Sequence, residues 1–244
     1  MPSFQPPSRR HLPRGLEILY EDRDLYAVNK QPGVLTTGTR RDEASTAENA
    51  MSDYFRKGDT RSRKRVFLVH RLDRETSGVL LFAKSFQAQQ TLKDNWPSTE
   101  KFYLAAVRGH LKERCGIFSS YLAEDDDLYV HSVADERRGK FSQTAYAVIG
   151  ESRNVSIVKI KLLTGRKNQI RVHFAENGAP VLGDMKYGEG DTFRQRLCLH
   201  AKSISFPQPY NGKRLFFETP IPDVFRKVAK GFSEDDWKTT EVPY

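Results

Sequence analysis

Two apolar runs that flank a charged turn constrain this chain more than any other feature. Val66-Phe67-Leu68-Val69 and Val79-Leu80-Leu81-Phe82-Ala83 each read as a short buried strand. Between them lies His70-Arg71-Leu72-Asp73-Arg74-Glu75-Thr76-Ser77-Gly78, in which the Asp73 carboxylate sits between two arginines. A loop fixed at both ends by core strands holds a reactive group at a defined position.

The charge balance narrows the partners. The 244 residues carry 40 Lys plus Arg against 31 Asp plus Glu, a formal net charge of +9. That favours a polyanion, nucleic acid first and an anionic membrane second. The length suits one large domain or two small ones and allows a substantial core. Cys115 and Cys198 lie far apart and form no CxxC pair, as expected of a reduced, cytoplasmic protein. No segment approaches the ~18 consecutive apolar residues of a membrane span. Residues 1–15 read as a flexible basic tail rather than a secretory signal, and residues 16–244 as the folded part.

Along that part, residues 16–20 and 25–29 form apolar runs around Glu21-Asp22-Arg23-Asp24, a hairpin pattern. Pro32-Gly33 marks a tight turn. Ser45-Thr46-Ala47-Glu48 fits a capping box opening a helix through Phe55, and Ser85 caps another that runs to Trp96 and stops at Pro97. Strands are expected over 101–109, 118–122, 129–133, 143–149 and 155–163, antiparallel by their short connections. Residues 168–177 have helical spacing, although the alternation of Ile170, Val172 and Phe174 also permits a strand. Residues 197–206 and 214–218 close the sheet, and 222–231 form a terminal helix. With no internal repeat and no dividing linker, one α+β domain is the economical reading.

Several chemistries lack their residues. The six histidines are scattered without HExxH or CxxC spacing, so no metal site is expected. Asp125-Asp126-Asp127 reads as a solvated hairpin turn. Neither a P-loop, a GxGxxG nor a Gly-x-Ser-x-Gly is present. The densest basic stretches are Arg61-Ser62-Arg63-Lys64-Arg65, Arg137-Arg138-Gly139-Lys140 and Arg166-Lys167, candidates for phosphate contacts.

Four segments carry a resemblance. They are Ile18-Leu19-Tyr20-Glu21-Asp22 through Asn29-Lys30-Gln31-Pro32-Gly33-Val34; the Asp73 loop, as His-Arg-Leu-Asp-x-x-Thr-Ser-Gly; Lys101-Phe102-Tyr103-Leu104-Ala105; and Leu163-Thr164-Gly165-Arg166-Lys167-Asn168-Gln169-Ile170-Arg171-Val172-His173, followed by Gly183-Asp184 and Tyr187-Gly188. In this order they resemble the RNA pseudouridine synthases, specifically the branch built around the RluA enzyme. Leu199-His200-Ala201 to Phe206-Pro207 and Pro220 extend the likeness, which covers roughly residues 16–225.

The resemblance implies an α+β fold, a mixed, mainly antiparallel sheet in two lobes with a central active-site cleft. It implies isomerisation of a uridine in a structured rRNA or tRNA, with Asp73 as nucleophile, acting on the uracil ring or through a glycal. Arg171 would be the electrostatic partner of Asp73. Tyr103 would stack on the flipped uracil and offer its hydroxyl for proton transfer at C5. Arg71 would enter the RNA in place of the flipped base, and Ile170 would wall the base. His70, Arg74, Arg166 and Lys167 complete the expected RNA-binding set, His70 holding the loop by hydrogen bonds. No cofactor and no metal are needed, and a monomer that meets no membrane is expected. Asn168 and Gln208 stand where histidine is frequent in the family, and the small S4 RNA-binding module of many relatives is not expected before Leu16. The competing readings are a non-catalytic RNA-binding protein with the same fold, disfavoured by the joint presence of Asp73, Tyr103 and Arg171, and a carboxylate glycosidase, for which no second carboxylate stands at a convincing position.

Overall fold

The structure, a computed structural model, describes residues 13–38, 46–57, 59, 61–193, 195–229 and 232–243. Most of the expected basic tail and the Ser45 part of the expected capping box lie outside these residues. In chain order the elements are β1 (Leu16–Glu21), β2 (Leu25–Lys30), α1 (Ala47–Arg56), β3 (Phe67–Leu68), β4 (Ser77–Ala83), α2 (Phe86–Asp94), β5 (Glu100–Arg108), β6 (Cys115–Glu124), β7 (Val130–Val133), β8 (Lys140–Ser152), β9 (Val155–Leu162), α3 (Gln169–Glu176), β10 (Leu199–Pro207), β11 (Arg214–Glu218), α4 (Asp223–Val228) and α5 (Glu234–Thr239). The chain divides into two compact units, Met1–Thr99 with Ser203–Thr219, and Glu100–Lys202 with Pro220–Tyr244.

In the first unit the strands run β1-β2-β4-β10, with β3 on β4 and β11 on β10. Asp22 builds the β1–β2 turn: its Oδ1 accepts from the backbone N–H groups of Asp24 and Leu25, each at 2.8 Å. All seven residues of β4 are buried. Period-two alternation explains this. Leu25 and Ala27 of β2, Val79, Leu81 and Ala83 of β4, and Ile204 and Phe206 of β10 share one face with Ala88 and Leu92 of α2. On the opposite face, Tyr26 of β2 meets the Tyr54 and Phe55 rings of α1, with centroids 5.6 and 5.9 Å apart. A strand covered on both sides has few polar positions to spare, so β4 after Ser77-Gly78 is an unbroken apolar run. Thr46, not Ser45, is the N-cap of α1, accepting from Asn49 N–H. Helix α2 ends at Asp94, two residues before the expected stop, and Pro97 sits inside a separate 3₁₀ turn, Trp96–Ser98. Proline suits the start of such a turn because its missing N–H is not needed there.

The second unit is an antiparallel array, β5-β9-β8-β6-β7, with the first residues of β10 beside β5. The β8–β9 register slips between Val148 and Gly150. Leu104, Ala106, Ile149 and Ile157 pack against Val224 and Phe225 of α4 and Trp237 of α5. The sequence pattern did not announce α5, yet Ser233 and Asp236 form a reciprocal capping box at its start. Residues 169–176 form a helix, not a strand: Phe174 sets its ring edge-on to Phe118, with centroids 5.2 Å apart, and Phe118 stacks on Tyr146 at 4.6 Å. Gly178 follows with φ +75°, the left-handed stop expected of it.

His173 ties α3 to the sheet. Its Nδ1 shares a hydrogen bond with Thr144 Oγ1 at 2.9 Å and its Nε2 with Ser120 Oγ at 3.0 Å. Burial holds this imidazole down at about 4. The folded form therefore stays neutral where the unfolded form takes up a proton, so stability falls as pH drops from about 6.5 towards about 4. Urea denaturation of His173→Gln should show a shallower acid slope than the native chain, by up to about 1.4 kcal/mol per pH unit. Parallel slopes would show that His173 does not contribute to the acid sensitivity.

Candidate active site

The loop that carries Asp73 is clamped on both sides by the segment after β2. Thr36 Oγ1 donates to Leu72 O at 2.6 Å and accepts from Leu72 N–H at 3.2 Å. On the far side of Asp73, Arg74 O accepts from Lys30 Nζ at 3.0 Å and from Gly33 N–H at 2.9 Å, while Arg74 Nε donates back to Gly33 O at 3.1 Å. Thr76 N–H closes the turn on Asp73 O at 3.1 Å. The peptides before and after Asp73 are thus fixed by different residues. Gly33 makes this approach at φ +85°, where a side chain would be strained.

Lys30 is fully buried, and its ammonium also donates to Val34 O at 2.8 Å and Gln31 O at 3.2 Å. A buried ammonium is tolerated only when its protons are satisfied, and here carbonyls from two segments serve that need. His70 fixes the loop at its start: its Nε2 accepts from Leu81 N–H of β4 at 3.1 Å, and its ring lies on Trp96 with centroids 5.1 Å apart. Leu72, Thr76 and Ser77 are buried, Asp73 is half-exposed, and Arg71 and Arg74 are exposed. The carboxylate of Glu75 is met by Arg74 at 3.7 Å.

Thr36→Val keeps the side-chain shape and leaves the buried Leu72 N–H and C=O without their partner. We expect a loss of about 1–3 kcal/mol in chemical denaturation, with Thr36→Ser close to the native chain. Equal stability of Thr36→Val and the native chain would show that the clamp is not held by this hydroxyl.

The second unit fixes Arg171. Its Nε and Nη2 donate to Asp184 Oδ2 and Oδ1, both at 2.7 Å, and its Nη1 to Asn168 Oδ1 at 3.3 Å. The Asp184 side chain is fully buried and that of Arg171 is 13% exposed. Asp184 is itself held by the N–H groups of Lys186 and Tyr187, at 2.9 and 3.0 Å. Tyr187 lies under the guanidinium at 5.1 Å and receives Asn168 Nδ2 on its hydroxyl at 3.0 Å. Asn168 has φ +53°, a left-handed conformation that asparagine tolerates better than most residues. The departure from histidine therefore places a residue suited both to the turn into α3 and to holding Arg171.

Gln169 locks the same turn, accepting from Thr164 Oγ1 and Arg166 N–H and donating to Gln143 O and Thr144 Oγ1. Ile170 is buried. Arg166 and Lys167 are exposed, but Arg166 Nε donates to Phe141 O at 3.2 Å and Lys167 pairs with Glu124. Tyr103 is 8% exposed on β5, opposite Ile160 of β9. Lys101, two residues earlier on the same strand, is also buried, and burial lowers its pKa.

His70, Arg71, Asp73 and Arg74 thus share one loop of the first unit. Arg166, Lys167, Ile170 and Arg171 share one turn of the second, which also carries Tyr103. Sequence reasoning places Asp184, Lys30 and Tyr187 within motifs without giving them a role, and it gives none to Thr36. Among the described residues, no cluster of three or more His, Cys, Asp or Glu side chains could hold a metal ion, and no helix is long and apolar enough to cross a membrane. Asp125 caps its own hairpin, accepting from Tyr129 N–H at 2.8 Å.

The sequence matches the RNA pseudouridylate synthase family over residues 24–176. It is 34% identical over 203 residues to the dual-specificity RNA pseudouridine synthase RluA of Vibrio vulnificus, covering 79% of this chain and 78% of that one. It is 32% identical over 228 residues to the ribosomal large subunit pseudouridine synthase C of Haemophilus influenzae, covering 89% and 69%. Among solved structures, human RNA pseudouridylate synthase domain containing 1 superposes with a TM-score of 0.71 at 25% identity, covering 99% of this chain and 100% of that one. Human RNA pseudouridylate synthase domain containing 4 shares the fold, with a TM-score of 0.73 at 22% identity over 88% and 92% of the two chains. The chain therefore belongs to the RNA pseudouridylate synthase family, in its RluA-like branch.

Proposed function

We propose that this protein converts a specific uridine of a structured ribosomal or transfer RNA to pseudouridine, with Asp73 as the nucleophile and Tyr103 and Arg171 as the further catalytic groups. The observation that carries this reading is the double clamp on the Asp73 loop, through Thr36 on Leu72 and through Lys30 and Gly33 on Arg74. A nucleophile gains from such fixed placement because the orientation cost is met by folding rather than by the reaction. The large-subunit name of the Haemophilus relative makes ribosomal RNA the first target to test.

The rearrangement breaks the N1–C1′ bond, turns the uracil and joins C5 to C1′. The C5 proton leaves and N1, freed from C1′, takes up a proton, so the atoms balance and no external group takes part. The uridine must leave its stack first. Exposed Arg71 is the residue we assign to the vacated place, with Arg74, Arg166 and Lys167 on the flanking backbone, His70 and Ile170 shaping the site, and the protein acting as a cytoplasmic monomer.

Tyr103→Phe keeps the ring and removes the hydroxyl. RNA binding should stay within about twofold, while the single-turnover rate falls by about 10²–10⁴ if that hydroxyl moves the C5 proton. Normal turnover would leave Tyr103 only a stacking role. Pseudouridine mapping of total RNA from cells with and without the gene tests the function itself: one or a few sites should vanish, and an unchanged map would refute it.

A further inference from the structure

The proposed function leaves open where the RNA beyond the target nucleotide is held. We propose that Arg61, Arg63, Lys64 and Arg65, with Phe86, form an arm that grips the RNA strand flanking the target; this rests on the reading of the protein as an RNA-modifying enzyme. All four cations are exposed. Among the described residues, no carboxylate lies within ion-pair distance of any of them. The other two basic stretches differ. Arg137 is forked onto Asp135, and Lys167 is paired with Glu124. The arm alone among the three keeps every charge uncompensated among the described residues.

Its backbone is nonetheless fixed. Asp59 Oδ1 accepts from Arg61 N–H at 2.9 Å, Arg56 Nε donates to Lys64 O at 2.9 Å, and Val66 N–H donates to Ser52 Oγ at 3.2 Å. Arg65 lies over the Phe67 ring at 5.0 Å and Lys64 over Phe55 at 5.5 Å. Phe67 in turn meets Phe86 edge-on at 6.3 Å, and Phe86 is 61% exposed. Cations on a fixed backbone beside an open aromatic ring are the elements that bind a single nucleic-acid strand: phosphates on the charges, a base on the ring. Only the two-residue β3 and its flanks separate Arg65 from Arg71, at most about 20 Å of extended chain. The arm and the Asp73 loop therefore engage neighbouring parts of one strand. A membrane would require a broad apolar face beside the charges, and a single exposed phenylalanine does not supply one.

The test replaces all four cations by glutamine and, separately, makes Phe86→Ala. Binding to a 20-residue oligouridine is measured against salt concentration, and single-turnover pseudouridine formation on ribosomal RNA from cells lacking the gene is measured at saturating protein. Removing four phosphate-binding charges from a single-strand site should lower the salt slope of log affinity by about 3, and Phe86→Ala should weaken binding about tenfold. The saturated rate should stay within about twofold for both variants. A native salt slope in the glutamine variant overturns the arm. So does charge-dependent binding to phosphatidylserine vesicles with oligouridine affinity unchanged, which would make it a membrane contact. Absence of pseudouridine formation by the native protein would instead refute the proposed function, while the oligouridine slope still reads the arm.

Discussion

Replacement of Asp73 by asparagine is expected to reduce pseudouridine formation at least about a thousandfold while RNA binding stays within about tenfold. The loop is held through the backbone of Leu72 and Arg74 and through His70. An amide of the same shape at position 73 leaves those contacts in place, so the variant should fold. What it loses is the charged oxygen to which the proposal assigns the attack. Single-turnover assays with the variant in excess separate chemistry from binding. Retained turnover would remove Asp73 from the nucleophile's role, and loss of binding in step with activity would make it a contact residue instead.

The second large effect is expected at Asp184. Its carboxylate is fully buried and accepts from Nε and Nη2 of Arg171, both at 2.7 Å. Removing one partner of a buried, doubly hydrogen-bonded pair costs about 3–5 kcal/mol. Asp184→Ala also takes the acceptor from the Lys186 and Tyr187 N–H groups that shape the turn. We expect a loss of that size in urea denaturation and, at temperatures where the variant is still folded, a fall in the single-turnover rate of about a hundredfold as Arg171 loses its fixed orientation. A stability change within about 0.5 kcal/mol, or full activity in the folded variant, would show that Asp184 does not set the position of Arg171.

The Asp73 loop was legible because β4, the strand that follows it, is buried at every position, so its run from Val79 to Ala83 is wholly apolar, whereas β3 before it is only two half-buried residues. The hairpins were legible from their turn residues, Asp22 above all. Residues 169–176 were ambiguous for a physical reason: apolar residues at every second position over so short a stretch fit either period. Packing on Phe118 and Tyr146 decides for the helix. The supports of the site were harder to read. Thr36 and Leu72 lie 36 residues apart, and Arg171 and Asp184 lie 13 apart across a loop, so nothing local announces either pair. Lys30 misleads more directly, since a lysine at the end of a strand reads as solvated and here is wholly enclosed. Side chains that position others leave little trace in composition or periodicity; those that form the strands leave a clear one.

The most direct test of the central claim uses purified protein and ribosomal RNA labelled with tritium at C5 of uridine, prepared from cells that lack the gene. Joining C5 to C1′ expels the hydrogen at C5, so the native protein should release tritium in proportion to the pseudouridine mapped at a defined site, and Asp73→Asn should release none. Tight binding of that RNA by the native protein without release of tritium would contradict the account.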